Sequence, residues 1–120
     1  MHALIIEDEP MIALVIEDYL RESGFISVDI AATETEALDS AARCCPDLIT
    51  SDVRLAEGCG IAAVQTICGR RSIPVLFITA TAADLSARLP HAAILGKPFT
   101  AGELGAALVE VCGSALGPAD

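Results

Sequence analysis

The chain has 120 residues, a net charge of -10, 53% hydrophobic residues and only 3% aromatic ones. That length suits one domain, residues 1–120, around a single core of Ile, Leu, Val and Ala. The acidity argues against a non-specific nucleic-acid or anionic-membrane surface, which would need clustered Lys and Arg, and leaves divalent cations and basic protein surfaces as natural partners.

Ala3-Leu4-Ile5-Ile6 predicts a first strand, and its lack of polar alternation predicts burial on both faces, as in a parallel sheet. Glu7-Asp8-Glu9-Pro10 follows, with Pro10 suited to the first turn of a helix that runs to about Ser23 and stops at Gly24. Ile12, Val15, Ile16, Tyr19 and Leu20 share the face expected to pack on the sheet, while Met11 and Leu14 fall on another side. Phe25 to Ala31 is the second strand. Thr33 and Glu36 form a capping box for a second helix, which ends near Cys45 at Pro46.

Leu48 to Ser51 is the third strand, ending at Asp52, and the loop from Val53 to Gly60 uses Gly58 and Gly60 for tight turns. A third helix covers about Ile61 to Cys68. Pro74 to Ile78 is the fourth strand, ending at Thr79. A short helix over Ala82–Leu89, a fifth strand over Ala92–Leu95 and the loop Gly96-Lys97-Pro98-Phe99 come next. A second capping box, Thr100 to Glu103, opens a last helix to about Leu116, and Gly117-Pro118 ends the fold.

Five strand–helix alternations predict a doubly wound α/β domain with a five-stranded parallel sheet, flavodoxin-like, in strand order 2-1-3-4-5. Ligands of such sheets bind beyond the carboxyl ends of the strands where the winding reverses, here between strands one and three. Those strands end at Glu7-Asp8 and at Asp52. No apolar run approaches bilayer length and no leader pattern opens the chain, so a cytoplasmic protein without a membrane segment is expected. The five cysteines, Cys44, Cys45, Cys59, Cys68 and Cys112, are odd in number and lack metal-ligand spacing. They read as small buried hydrophobes in a reducing compartment.

Three carboxylates at one rim repel one another, and a hard cation relieves the repulsion. Mg²⁺ is the expected cofactor, with Asp8 and Asp52 as direct ligands, Glu7 direct or through water, and the Arg54 carbonyl as a further ligand. Asp52 is then placed to act as a nucleophile toward a phosphoryl group. Lys97 offers a mobile charge and Thr79 a hydroxyl for the other phosphoryl oxygens. Arg54 and Thr81, each two residues beyond a rim residue, are placed to control water access.

With Glu7-Asp8, Asp52, Thr79 and Lys97-Pro98-Phe99 in this order, the whole chain resembles the receiver domain of bacterial response regulators. The resemblance implies phosphorylation of Asp52 by a histidine kinase or histidine phosphotransfer protein, a Mg²⁺ requirement, and a cis peptide between Lys97 and Pro98. It implies a single-domain phosphorelay regulator acting as switch or phosphate shuttle, with no enzymatic activity beyond self-phosphotransfer and autodephosphorylation. Two departures stand out. Ile94 occupies the switch position where receivers usually carry Tyr or Phe, and the stretch from Thr79 to Lys97 is shorter than usual by about one helical turn. Phe77-Ile78-Thr79-Ala80-Thr81 is similar to a Phe-Ala-Thr-Gly motif of alphaproteobacterial stress receivers, from which Ile78 and Ala80 depart.

The last helix is unusually apolar. Leu104, Ala107, Leu108 and Val111 make a core face, and Val109, Cys112 and Leu116 widen it. A homodimer or effector contact through helix five and strand five is therefore expected. The alternative function is a phosphorylation-independent interaction module on the same fold, to which Ile94 gives weight. An aspartyl-phosphate hydrolase of the haloacid dehalogenase kind needs an acid two residues after its nucleophile, and Arg54 stands there instead.

Overall fold

The computed structural model describes residues 1–69 and 71–113. Its elements alternate strictly: β1 (His2–Ile6), α1 (Pro10–Glu22), β2 (Ser27–Ala31), α2 (Glu34–Arg43), β3 (Leu48–Ser51), α3 (Gly60–Ile67), β4 (Val75–Thr79), α4 (Ala82–Arg88), β5 (Ala93–Gly96) and α5 (Ala101–Cys112). All five strands are parallel, in the order β2-β1-β3-β4-β5. The expected doubly wound flavodoxin-like fold is the one observed. Leu116 and Gly117-Pro118, the expected end of the last helix, lie outside the described residues.

Strand alternation splits the core into two layers. Ala3 and Ile5 of β1, Leu48 of β3 and Leu76 and Ile78 of β4 face α1 and α5, meeting Ile16, Leu20, Leu104 and Leu108. Leu4, Ile6, Ile49 and Phe77 face the other way, toward Ala37 of α2, Ala63 and Val64 of α3 and Leu85 of α4. Every residue of β1 and β3 is buried, which is why β1 reads as an apolar run from Ala3 to Ile6, while β3 buries Thr50 and Ser51 beside Leu48 and Ile49. Close approach of α1 to α5 depends on Gly105, where a Cβ would collide with the Tyr19 hydroxyl.

At the amino-terminal end of β1, His2 accommodates its buried ring with polar neighbours on β2: Nδ1 is 2.7 Å from Ser27 Oγ and Nε2 is 3.3 Å from Asp29 Oδ2. The Nε2 contact is off hydrogen-bond geometry, so Nε2 is buried without a hydrogen bond. Ser40 of α2 donates to the same Asp29 carboxylate at 2.8 Å, fastening α2 to β2.

Several local expectations shift. Val15 is 52% exposed, because the buried stripe of α1 runs through Ala13, Ile16 and Leu20 and Val15 lies about 100° round from Ile16. Phe25 is buried but precedes β2, and Ile26 is exposed. Helix α2 ends at Arg43. The Thr33 hydroxyl accepts from the Glu36 N–H, but Glu36 reaches back to Ala32 rather than Thr33, so this cap is not a closed box. The box of Thr100 and Glu103 is complete. None of the cysteines is fully buried: Cys44 and Cys45 are exposed beyond the end of α2, and Cys59, Cys68 and Cys112 are half-buried. On α5, Ala107, Val111 and Cys112 pack against the core, and Val109 alone of the named residues within the described helix stands exposed.

Candidate functional site

The rim site is assembled by the sheet register. The Glu7 N–H donates to the Ala31 carbonyl at 2.9 Å, extending the β1–β2 ladder. The Asp52 N–H donates to the Ile6 carbonyl at 2.9 Å, and the Lys97 N–H donates to the Thr79 carbonyl at 2.9 Å. Residues scattered over ninety positions of chain are thereby set side by side at the carboxyl ends of β1, β3, β4 and β5.

Asp52 is 8% exposed. Its Oδ1 accepts the Val53 N–H at 2.7 Å, and its Oδ2 lies 2.9 Å from Lys97 Nζ. Gly60 permits this arrangement: a Cβ there would collide with the Asp52 carbonyl oxygen and press on Ser51 Oγ. The same ammonium lies 3.0 Å from Glu7 Oε1 and 3.4 Å from Glu9 Oε2. The Glu7 contact is an ion pair rather than an aligned hydrogen bond, so Oε1 keeps unfilled acceptor capacity while buried. The peptide between Lys97 and Pro98 is cis.

Burial pushes the Glu7 carboxyl up from the ordinary glutamate range, against the opposing pull of Lys97 and the Glu9 N–H. Burial also works to strip the proton from Lys97, but the hydrogen bond to Asp52 and the contacts with Glu7 outweigh it, so the ammonium holds its proton more tightly than an ordinary lysine.

One cleft of about 290 Å³ is lined by Asp8, Asp52, Arg54, Thr79, Thr81 and Lys97, with Glu9 and Ala80. Arg54 and Thr81 are exposed at its mouth and Thr79 is buried at its wall. Thr79 Oγ1 lies 3.1 Å from Thr81 Oγ1 and accepts the Thr81 N–H at 3.1 Å. Ile94 is not at the cleft. It sits on β5 opposite Phe77 of β4 and packs in the layer that contains Leu85.

Glu7, Asp8, Glu9 and Asp52 each offer a carboxylate oxygen, all within 4.8 Å of one another. Four acids face one ammonium. The donor set is all oxygen, and one of those oxygens is buried with spare capacity. Both features fit a hard divalent cation such as Mg²⁺ rather than zinc or copper. Glu9 was not among the residues singled out from the sequence. Its signal was there, as the third consecutive acid after β1, but its position before Pro10 reads as helix entry.

Beside the cleft, Met11, Ile12 and Val15 of α1 face Pro98 and Phe99 across an apolar groove of about 500 Å³, which Glu9 and Lys97 join to the acidic site.

A parallel doubly wound sheet with an oxygen-only acidic cleft at its switch point, and one lysine inside it, makes a candidate divalent-cation site on a flavodoxin-like fold. The chain belongs to the response regulator receiver domain family, whose model matches residues 3–109. Receiver domains are the parts of two-component systems that histidine kinases phosphorylate.

Among curated proteins, the phyllosphere-induced regulator PhyR of Methylorubrum extorquens is 40% identical over 100 residues, 80% of this chain and 38% of that protein. The transcriptional regulatory protein PdtaR of Mycobacterium tuberculosis is 36% identical over 84% of this chain and 51% of its own length. The chain thus spans about half or less of these relatives. Among solved structures, the PhyR receiver domain of Erythrobacter litoralis superposes with a TM-score of 0.86 at 32% identity, covering 99% of this chain and 95% of that one. The receiver domain of the sensor histidine kinase PA1611 of Pseudomonas aeruginosa superposes with a TM-score of 0.79 at 32% identity, covering 94% and 98%, and carries a magnesium ion coordinated in its active-site cleft. Among the described residues, no helix is long and apolar enough to cross a membrane.

Proposed function

We propose that residues 1–120 act as one receiver unit that accepts a phosphoryl group on Asp52 from a histidine kinase or a histidine phosphotransfer protein, as a switch or phosphate shuttle in a phosphorelay. The observation that carries this reading is the set of contacts at Lys97, whose ammonium is held 2.9 Å from Asp52 within a four-carboxylate cleft.

In this reading an Asp52 oxygen attacks phosphorus, the donor's P–N bond breaks and its electron pair stays on the imidazole nitrogen. Lys97 is placed to neutralise one phosphoryl oxygen, and Thr79 to donate its hydroxyl to another. Asp8 and Asp52 would hold Mg²⁺, with Glu7 direct or through water, Glu9 at the edge and the Arg54 carbonyl completing the set. When bound, the ion supplies positive charge to the phosphoryl oxygens. Arg54 and Thr81, at the mouth of the cleft, control the approach of water.

The groove between α1 and Phe99 opens beside Asp52's cleft and suits the apolar face of a donor helix, with Met11, 75% exposed, at its lip. A dimer or effector contact through α5 and β5 has less support, since most of the apolar stripe on described α5 is covered by the core.

The test is intact mass after incubation with acetyl phosphate, with and without Mg²⁺, for wild type and Asp52→Asn. One added phosphoryl group (about 80 Da) that needs both Mg²⁺ and Asp52 supports the reading. An adduct that persists in Asp52→Asn, or none from any donor, rejects it.

A further inference from the structure

Thr79 is 3% exposed, and its single hydroxyl proton needs an acceptor. The hydroxyl oxygen already accepts the Thr81 N–H, and the other hydroxyl within hydrogen-bond reach is Thr81 Oγ1, 3.1 Å away, a contact in which either oxygen can donate. Thr81 is exposed, so its own proton has water to bond. The two hydroxyls are therefore not equivalent. If Thr81 donated, the O–H of Thr79, 3% exposed at the cleft wall, would be left with only the water that reaches it there, a poorer acceptor than the bulk water open to Thr81. The favoured arrangement has Thr79 donating to Thr81.

We propose that Thr81 is the resting-state acceptor of the Thr79 proton, a latch that must be released before Thr79 can donate to a phosphoryl oxygen on Asp52. This rests on the phosphoacceptor reading above. A hydroxyl donates once, so the bond to Thr81 and a bond to the phosphoryl group exclude each other.

The latch also has a place to report. Thr81 is the N-cap of α4 and makes no side-chain cap to that helix. Helix α4 has seven residues and one buried side chain, Leu85, so little holds it in place. Its first residue, Ala82, packs at the end of β5, where a Cβ on Gly96 would touch it at 3.4 Å. With isoleucine at position 94, release of Thr81 offers a route from the cleft to α4 that needs no aromatic ring on β5.

The latch makes a linked pair of predictions. Removing the Thr81 hydroxyl destabilises the resting state and spares the liganded one, so affinity for a phosphoryl analogue rises as resting stability falls. A residue with only a structural role would weaken both states alike and leave affinity unchanged.

The experiment is calorimetric titration of Mg²⁺-loaded protein with beryllofluoride, paired with urea unfolding without ligand, for wild type, Thr81→Val, Thr81→Ser, Thr79→Ala and the double variant Thr79→Ala/Thr81→Val. Thr81→Val is expected to bind beryllofluoride about three- to ten-fold more tightly, the size of one hydrogen bond. Its resting stability should fall correspondingly. Thr81→Ser should match wild type, and Thr81→Val should have no effect on affinity in the Thr79→Ala background. Equal affinity in wild type and Thr81→Val, or a gain that survives Thr79→Ala, overturns the latch alone. Absence of beryllofluoride binding in wild type overturns the phosphoacceptor reading and the latch with it.

Discussion

Lys97 Nζ lies 2.9 Å from Asp52 Oδ2 and 3.0 Å from Glu7 Oε1, so one ammonium from the β5–α5 loop joins the ends of β3 and β1. The Lys97 side chain is 10% exposed and that of Glu7 1%. Removing such a cation leaves its partners buried and mutually repelling. Lys97→Met is expected to lower stability at pH 7 by about 2–4 kcal/mol without Mg²⁺, and by clearly less with saturating Mg²⁺, which replaces the missing charge. Urea unfolding with and without the ion checks this. An equal loss in both conditions would mean that Lys97 acts through packing rather than charge.

The raised Glu7 carboxyl sets a sign for the pH profile of the metal-free protein. Its native state holds the proton more tightly than the unfolded chain, whose glutamates titrate near 4.5. That contribution to stability is fully present below 4.5 and is lost as pH rises through the raised native value. Lys97, also raised, contributes throughout the acid and neutral range and loses its contribution only above the ordinary lysine range. Stability of the metal-free protein should therefore have a falling component just above the normal glutamate range. Glu7→Gln should remove that component, measured as urea midpoint against pH.

Glu9 is the most exposed of the four acids, its side chain 61% accessible. Its charge is partly screened by water, yet one of its oxygens lies within reach of the other three. Glu9→Gln should weaken Mg²⁺ binding by up to about ten-fold, whereas Asp8→Asn should weaken it by more. Titration of the metal against intrinsic Tyr19 fluorescence or by calorimetry separates the two. The reverse order would place the ion nearer α1 than Asp8.

Gly60 marks where backbone packs on backbone. A Cβ there collides with the carbonyl oxygen of Asp52, so Gly60→Ala must shift the β3–α3 loop. The expected cost is about 1–3 kcal/mol, together with slower acceptance of phosphoryl from acetyl phosphate. Unchanged phosphorylation in a destabilised variant would show that the loop yields without moving Asp52.

Much of the molecule was legible in the chain alone. The apolar runs Ala3–Ile6 and Val75–Ile78, the shorter Leu48-Ile49, and the polar residues that follow them set the parallel sheet and placed Glu7, Asp8, Asp52, Thr79 and Lys97 at one rim. Burial on both faces of a central strand keeps its charged carboxylates at the strand end, although β3 buries the hydroxyls of Thr50 and Ser51. Pro10, Gly24 and the Thr100 box marked helix ends because they act over a few residues of backbone. What depended on contacts between distant elements was not legible. Val15 turned outward because the stripe of α1 is set by where β1 and α5 lie. The cysteines proved exposed or half-buried because a small side chain carries too weak a pattern to mark a face. Glu9 joined the acids, and the Thr79 hydroxyl found Thr81, only once the loops had folded over the strand ends. Local preference and periodicity are written residue by residue. Which carboxylate reaches the cleft, and which hydroxyl takes another's proton, depends on distances of about 3 Å between loops that only the packed sheet brings together.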